Sequence, residues 1–204
     1  MAATKTSAQR PSLRDRNKEN TRRALRETAL KLFAVRGYDA TTTEEIAAKA
    51  GVATRTLFRY FPTKEHILYH GEEDWIHDFV GIYPTQPATL SDLDAMRATL
   101  VSLTPHFAKA RQSLLLYRRA VKSSPALRGR EHAHQEQTIA ILAQAVAIRR
   151  GRRGADEACV LVASVGLLTY IRAQDQWLAG PANGSLARAI TKEFRLLYSQ
   201  FSRE

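Results

Sequence analysis

Two arginines four residues apart, Arg55 and Arg59, stand in the stretch GVATRTLFRYF, residues 51–61. A helix advances about 100° per residue, so the two guanidinium groups share one face. Leu57 and Phe61 fall on the roughly opposite face. Thr56 and Phe58 flank the arginines, and Tyr60 sits at the rim. An arginine fork can bond guanine O6 and N7 together, and threonine or phenylalanine can meet a thymine methyl. These residue types in this pattern point to reading base edges in a major groove. A solvated amphipathic helix is the plain alternative.

A second cluster could do different chemistry. HILYH places His66 and His70 at i and i+4, with Glu73, Asp74 and His77 on the following turns. That spacing permits metal ligation, and a metal-binding helical protein or metalloenzyme using His66, His70 and His77 is the alternative reading. Ile67 stands where a metalloprotease motif would carry glutamate. No nucleophile-and-base constellation and no phosphate-binding glycine loop occurs elsewhere, so no catalytic residue, resident metal or cofactor is expected. The lone cysteine, Cys159, lies among apolar neighbours and reads as a small buried residue.

The elements around Arg55 and Arg59 suit a groove-reading role. Thr42 and Glu45 form a capping box for a helix over TEEIAAKA, and Gly51 ends it in a tight turn. The Arg55 helix follows at once, from Thr54 to about Phe61, and Pro62 closes it. Two helices joined by a tight turn, with the second presented outward, make a helix-turn-helix. A longer helix precedes them, from a Ser12 cap to about Arg36, with Leu25, Ala29, Leu32 and Phe33 inward.

Charge points the same way. The 204-residue chain carries a net charge of +11. Residues 1–64 hold 14 Lys/Arg against 6 Asp/Glu, leaving a net of only +3 on the remainder. A basic first third suits a polyanionic partner there, and a solvated surface that serves solubility is the plain alternative. Residues 1–11 read as a disordered basic arm.

Here the chain resembles a known family. TALKLFAVRGYDATTTEEIAAKAGVATRTLFRYFPTKEHIL, residues 28–68, is similar to the DNA-binding domain of TetR-family transcriptional regulators. RGY, T-x-EEIA-x-x-AGV and YFPTKE carry the likeness. It implies an all-α homodimer: a three-helix helix-turn-helix domain over 12–64 and a helical ligand-binding and dimerisation domain over 65–204. It further implies a repressor released from a palindromic DNA operator by a small hydrophobic ligand. Position by position, Arg55, Thr56, Phe58 and Arg59 match the groove-facing residues, and Thr43, Thr54, Tyr60 and Lys64 the phosphate contacts. Ala53 departs from the serine or threonine usual at that helix cap. One branch of the family responds to long-chain acyl-CoA, whose phosphates Arg118, Arg119, Arg128 and Arg130 could meet. A DNA binder without ligand response is a further alternative.

The rest of the chain reads as helix, about nine in all. A single helix is expected from a Thr63 cap to Ile82, then a linker over YPTQPAT, 83–89. Further helices span 91–103, 105–122, 125–150 and 155–178, the last apolar all round and so central. RRGRR, 149–153, reads as a helix end whose carbonyls favour cations. The final helix carries Leu186, Ile190, Phe194, Leu197 and Phe201 at helical spacing, the stripe expected at a dimer interface, with Gly166, Ala163 and Ser164 allowing close helix approach. Trp75, Phe79, Phe107, Tyr117, Tyr170 and Gln174 are the candidate pocket residues. The longest apolar run, 158–171, is too short to span a bilayer. The N-terminus lacks an apolar signal core, so a cytoplasmic protein without a membrane partner is expected.

Overall fold

The computed structural model describes residues 12–69 and 72–201. The arm over 1–11 and His70 lie outside them. Ten α-helices and no strand are found among the described residues. They are α1 Leu13–Arg36, α2 Thr43–Lys49, α3 Thr54–Tyr60, α4 Lys64–Tyr69, α5 Glu72–Ile82, α6 Asp92–Ser102, α7 Thr104–Ser123, α8 Pro125–Arg149, α9 Glu157–Ala179 and α10 Leu186–Phe201. His70 and Gly71, within the single helix expected over 63–82, lie outside the described residues, so its two described parts are labelled α4 and α5.

Leu25, Ala29, Leu30 and Phe33 of α1 form one core with Ile46 of α2, Leu57 of α3 and Ile67 and Leu68 of α4. That core does not close on itself. Leu116, Tyr117, Ala120 and Val121 of α7 and Leu127 of α8 belong to the same cluster, and α1 packs chiefly on α7. The division at residue 64 therefore cuts through one continuous hydrophobic mass. Ser124, fully buried at the α7–α8 corner, donates its hydroxyl to Asp39 at 2.9 Å, pinning the corner to the α1–α2 loop.

The second core lies among α5, α6, α7, α8, α9 and α10. Tyr83, expected in a linker, is instead fully buried and stacks on Phe79 with centroids 5.1 Å apart. Its hydroxyl donates to the Asp92 carbonyl at 3.2 Å. Burial, with the Asp92 carboxylate adding, pushes the phenol far above its ordinary range. Arg149 and Arg150 do more than face helix-end carbonyls: both guanidinium groups grip the Asp92 carboxylate, at 2.8 and 2.7 Å. The stretch that reads as a linker is therefore clamped to α8.

Helix α9 is central on one side only. Cys159, Ala163, Gly166, Tyr170 and Trp177 face the core, whereas Leu161 and Leu168 are 64% and 61% exposed. Gly166 does permit a close approach, but to α6 of the same chain, against the buried side chain of Met96.

Candidate nucleic-acid interface and cavity

The reading head is built from its caps inward. Thr42 accepts from the Glu45 amide at 3.1 Å, and the Glu45 carboxylate accepts from the Thr42 amide at 3.0 Å. Arg36 reaches across from α1 to the same carboxylate at 2.7 Å. The Thr42 amide and the Arg36 guanidinium together hold the Glu45 carboxyl below its ordinary range. Gly51 then turns the chain at φ +70°, a left-handed conformation that costs glycine nothing. Ala53 stands at the N-cap of α3 and supplies no side-chain cap.

Leu57 is completely buried and anchors α3. Arg55 and Arg59 are exposed on the outer side, as is Phe58, at 44%. Neither arginine enters an ion pair among the described residues. The Arg59 guanidinium lies 5.3 Å from the centroid of the Tyr60 ring. Thr43, Thr54, Thr56 and Tyr60 are half-buried, and the Thr43 hydroxyl donates to Glu44 at 3.2 Å.

Lys64, expected as a phosphate contact, is half-buried at the start of α4. Its ammonium donates to the carbonyls of Tyr38 and Thr41, both at 2.8 Å, and lies 4.1 Å from the Tyr38 ring centroid. Burial lowers its pKa, with Asp39 opposing. Lys64 thus ties the start of α4 to the α1–α2 loop.

Behind the head lies a cavity of about 160 Å³. Trp75, Phe107, Tyr117, Tyr170 and Gln174 line it. Phe79 does not; it sits behind the wall, against Tyr83. Three rings make one side, with Tyr170 5.6 Å from both Trp75 and Phe107. The other side is a polar chain. Arg118 donates to Gln174 at 3.1 Å, Gln174 donates to the Tyr170 hydroxyl at 3.0 Å, and Tyr117 donates to Glu131. Arg118 also pairs with Glu131 at 3.6 Å and Asp175 at 3.3 Å. Sequence reasoning missed Glu131 and His134, because a polar residue on a long amphipathic helix carries no mark of facing inward.

The expected dimer stripe is corrected. Leu186, Ile190 and Phe194 are buried in the chain's own core, and Leu197 is half-buried. Helical spacing identifies an apolar face but not what covers it. The side chain of Phe201 lies outside the described residues. The large apolar groups left exposed on α9 and α10 are Val160, Leu161, Leu168 and Leu196. Of the alternative metal cluster, His66 is exposed and bonded to the Thr63 hydroxyl at 2.9 Å. No group of three potential ligands converges among the described residues.

Residues 25–69 match the family model for bacterial regulatory proteins of the tetR family, and residues 90–202, more than half the chain, match that of the MftR C-terminal domain. The chain belongs to the TetR family. This TetR-family transcriptional regulator is 25% identical over 163 residues to the putative mycofactocin biosynthesis transcriptional regulator MftR of Mycobacterium tuberculosis, covering 80% of this chain and 82% of that one. It is 35% identical to the regulator TcmR of Streptomyces glaucescens over 94 residues, only 46% of this chain and 42% of TcmR. Two solved structures share the fold. A putative fatty acid metabolism regulator of Clostridium perfringens aligns with TM-score 0.58 and 21% identity over 84% of this chain and 94% of the other. FadR of Thermus thermophilus, in complex with lauroyl-CoA, aligns with TM-score 0.53 and 22% identity over 87% and 93%.

Proposed function

We propose that this regulator is a homodimeric repressor that reads a palindromic DNA operator through α3 and is released by a small hydrophobic ligand. The observation that carries the reading is the pair of exposed arginines, Arg55 and Arg59, free of ion pairs among the described residues and held outward by buried Leu57. Arg55, Thr56, Phe58 and Arg59 meet base edges. Thr43, Thr54 and Tyr60 meet phosphates. Lys64 spends two of its N–H groups on the loop and keeps one for a phosphate. The protein works on DNA in the cytoplasm and has no enzymatic role.

The dimer forms through the outer faces of α9 and α10. Leu161 and Leu168 are one heptad apart and so share a face, and Leu196 adds to the exposed apolar surface from α10. Two-fold symmetry in the protein matches two half-sites in the operator. The ligand occupies the aromatic cavity. A long-chain acyl-CoA is the narrower version of this reading, supported by the lauroyl-CoA held by the Thermus FadR. Against it, Arg118 is engaged with Glu131, Arg130 with Glu65 and Arg128 with the Lys122 carbonyl. Those partners would have to be exchanged, so the proposal rests on an apolar ligand.

Selection from a random duplex library tests the DNA reading. A palindrome should be enriched. Arg59→Ala should then cost about 1–3 kcal/mol and relax preference at one position per half-site. Equal binding to selected and random DNA would instead favour an architectural DNA binder.

A further inference from the structure

Beside the inner cavity lies a larger groove of about 710 Å³ between the reading head and α8. Tyr60, Phe61 and Pro62, the corner that ends α3, form one wall, and Ile76 and Val80 of α5 and Ile141 of α8 face it. His134 and Thr138 line both the groove and the inner cavity. They are one turn apart on α8, and the Thr138 hydroxyl is turned back onto the His134 carbonyl at 3.0 Å. Two side chains of a single helix are thus common walls of the two spaces.

Size argues that the inner cavity is not the whole site. Pockets for drug-sized ligands are roughly 300–1,000 Å³, and the inner space reaches only about 160 Å³. The groove supplies the missing volume. Its walls are mixed: apolar at Phe61, Pro62, Ile76, Val80 and Ile141, polar at its rim with Glu65, His66, His77 and Gln137. We infer that cavity and groove are two halves of one channel for an elongated amphipathic molecule. Its apolar end lies among Trp75, Phe107 and Tyr170. Its stem passes His134 and Thr138 and runs along the Tyr60–Pro62 corner, and its polar end reaches the rim. The inference rests on the ligand-responsive reading above and adds to it. The occupant would touch the end of the DNA-reading helix itself, so release from DNA would need no relay through the rest of the fold.

Saturated fatty acids of two lengths, octanoate and palmitate, serve as probes, with affinities measured by titration calorimetry on the whole protein. Each methylene that gains apolar contact contributes roughly fourfold in affinity. Palmitate should therefore bind at least about a hundredfold more tightly than octanoate, well short of full burial of its extra chain. Ile141→Trp adds bulk to the groove at a position already 43% exposed, so folding is not threatened. It should weaken palmitate about tenfold or more, the loss expected when two methylenes are displaced, and leave octanoate unchanged. Ile148→Trp makes the same change on α8 at a residue 48% exposed and outside both spaces, and should alter neither. Equal affinity for the two probes, or an equal effect of Ile141→Trp on both, overturns the channel while leaving an inner pocket standing. Failure of palmitate to bind overturns the pocket reading for such ligands and the channel with it.

Discussion

Gly166→Ala adds a single methyl group to the middle of α9. A Cβ built there lies 1.8 Å from Met96 Sδ, 3.1 Å from its Cε and 3.3 Å from its Cγ. The sulfur would have to retreat by well over an ångström from a side chain that is fully buried. Methionine is the most adaptable of core residues, but overpacking a filled core still costs about 1–3 kcal/mol. Replacing a helix-interior glycine by alanine contributes about 1 kcal/mol in the other direction. The net expectation is a loss of about 0–2 kcal/mol, a Tm lowered by up to roughly 8 °C for a chain of this size. Urea and thermal unfolding at one fixed protein concentration measure it, since the midpoint of a dimer depends on concentration. The same change made beside Met96→Ala separates the two terms: with the thioether gone, the helix gain should emerge and Gly166→Ala become neutral or stabilising. A single Gly166→Ala variant that gains the full 1 kcal/mol or so of helix propensity would refute the close α6–α9 approach.

Ala53→Ser should stabilise the protein by about 0.5–2 kcal/mol by supplying the side-chain cap that α3 lacks, read as a shift in urea midpoint with unchanged slope. Leu168→Asp should yield a folded monomer by sedimentation, because that residue is 61% exposed in the single chain; Phe194→Asp, buried within the chain, should unfold it instead. Deleting residues 1–11 removes Lys5 and Arg10, and the salt dependence of DNA binding should become shallower by up to roughly two counterions; an unchanged slope would show that the arm leaves the phosphates alone.

The head was the most legible part of the chain, for a local reason. Thr42, Glu45, Gly51 and Leu57 act within a few residues of one another, so capping, turn and amphipathic spacing all speak in the sequence. In the second half, helix starts at Ser91 and Pro125 follow from the sequence, yet which face of each helix meets which neighbour does not. The stripe at Leu186, Ile190 and Phe194 is equally apolar whether a second subunit or the same chain covers it. Tyr83 shows the limit from the other side. Prolines and a threonine mark its surroundings as loop, and it is the packing of Phe79 and the clamp of Asp92 by the distant Arg149 that make it core.

Helix α7 contributes Leu116, Tyr117, Ala120 and Val121 to the core beneath α1, and Tyr117 also lines the inner cavity. Modularity in this protein therefore ends between the head and the cavity behind it. A chimera that transplanted residues 1–69 alone onto a foreign sensor would leave the underside of α1 greasy and unsupported, and should aggregate or melt early. A transplant that carried the matching surface of α7 and the Leu127 turn of α8 would keep the head intact, but it would bring one wall of the sensor with it. New specificities for DNA and for ligand can thus be exchanged only as far as that shared tyrosine allows.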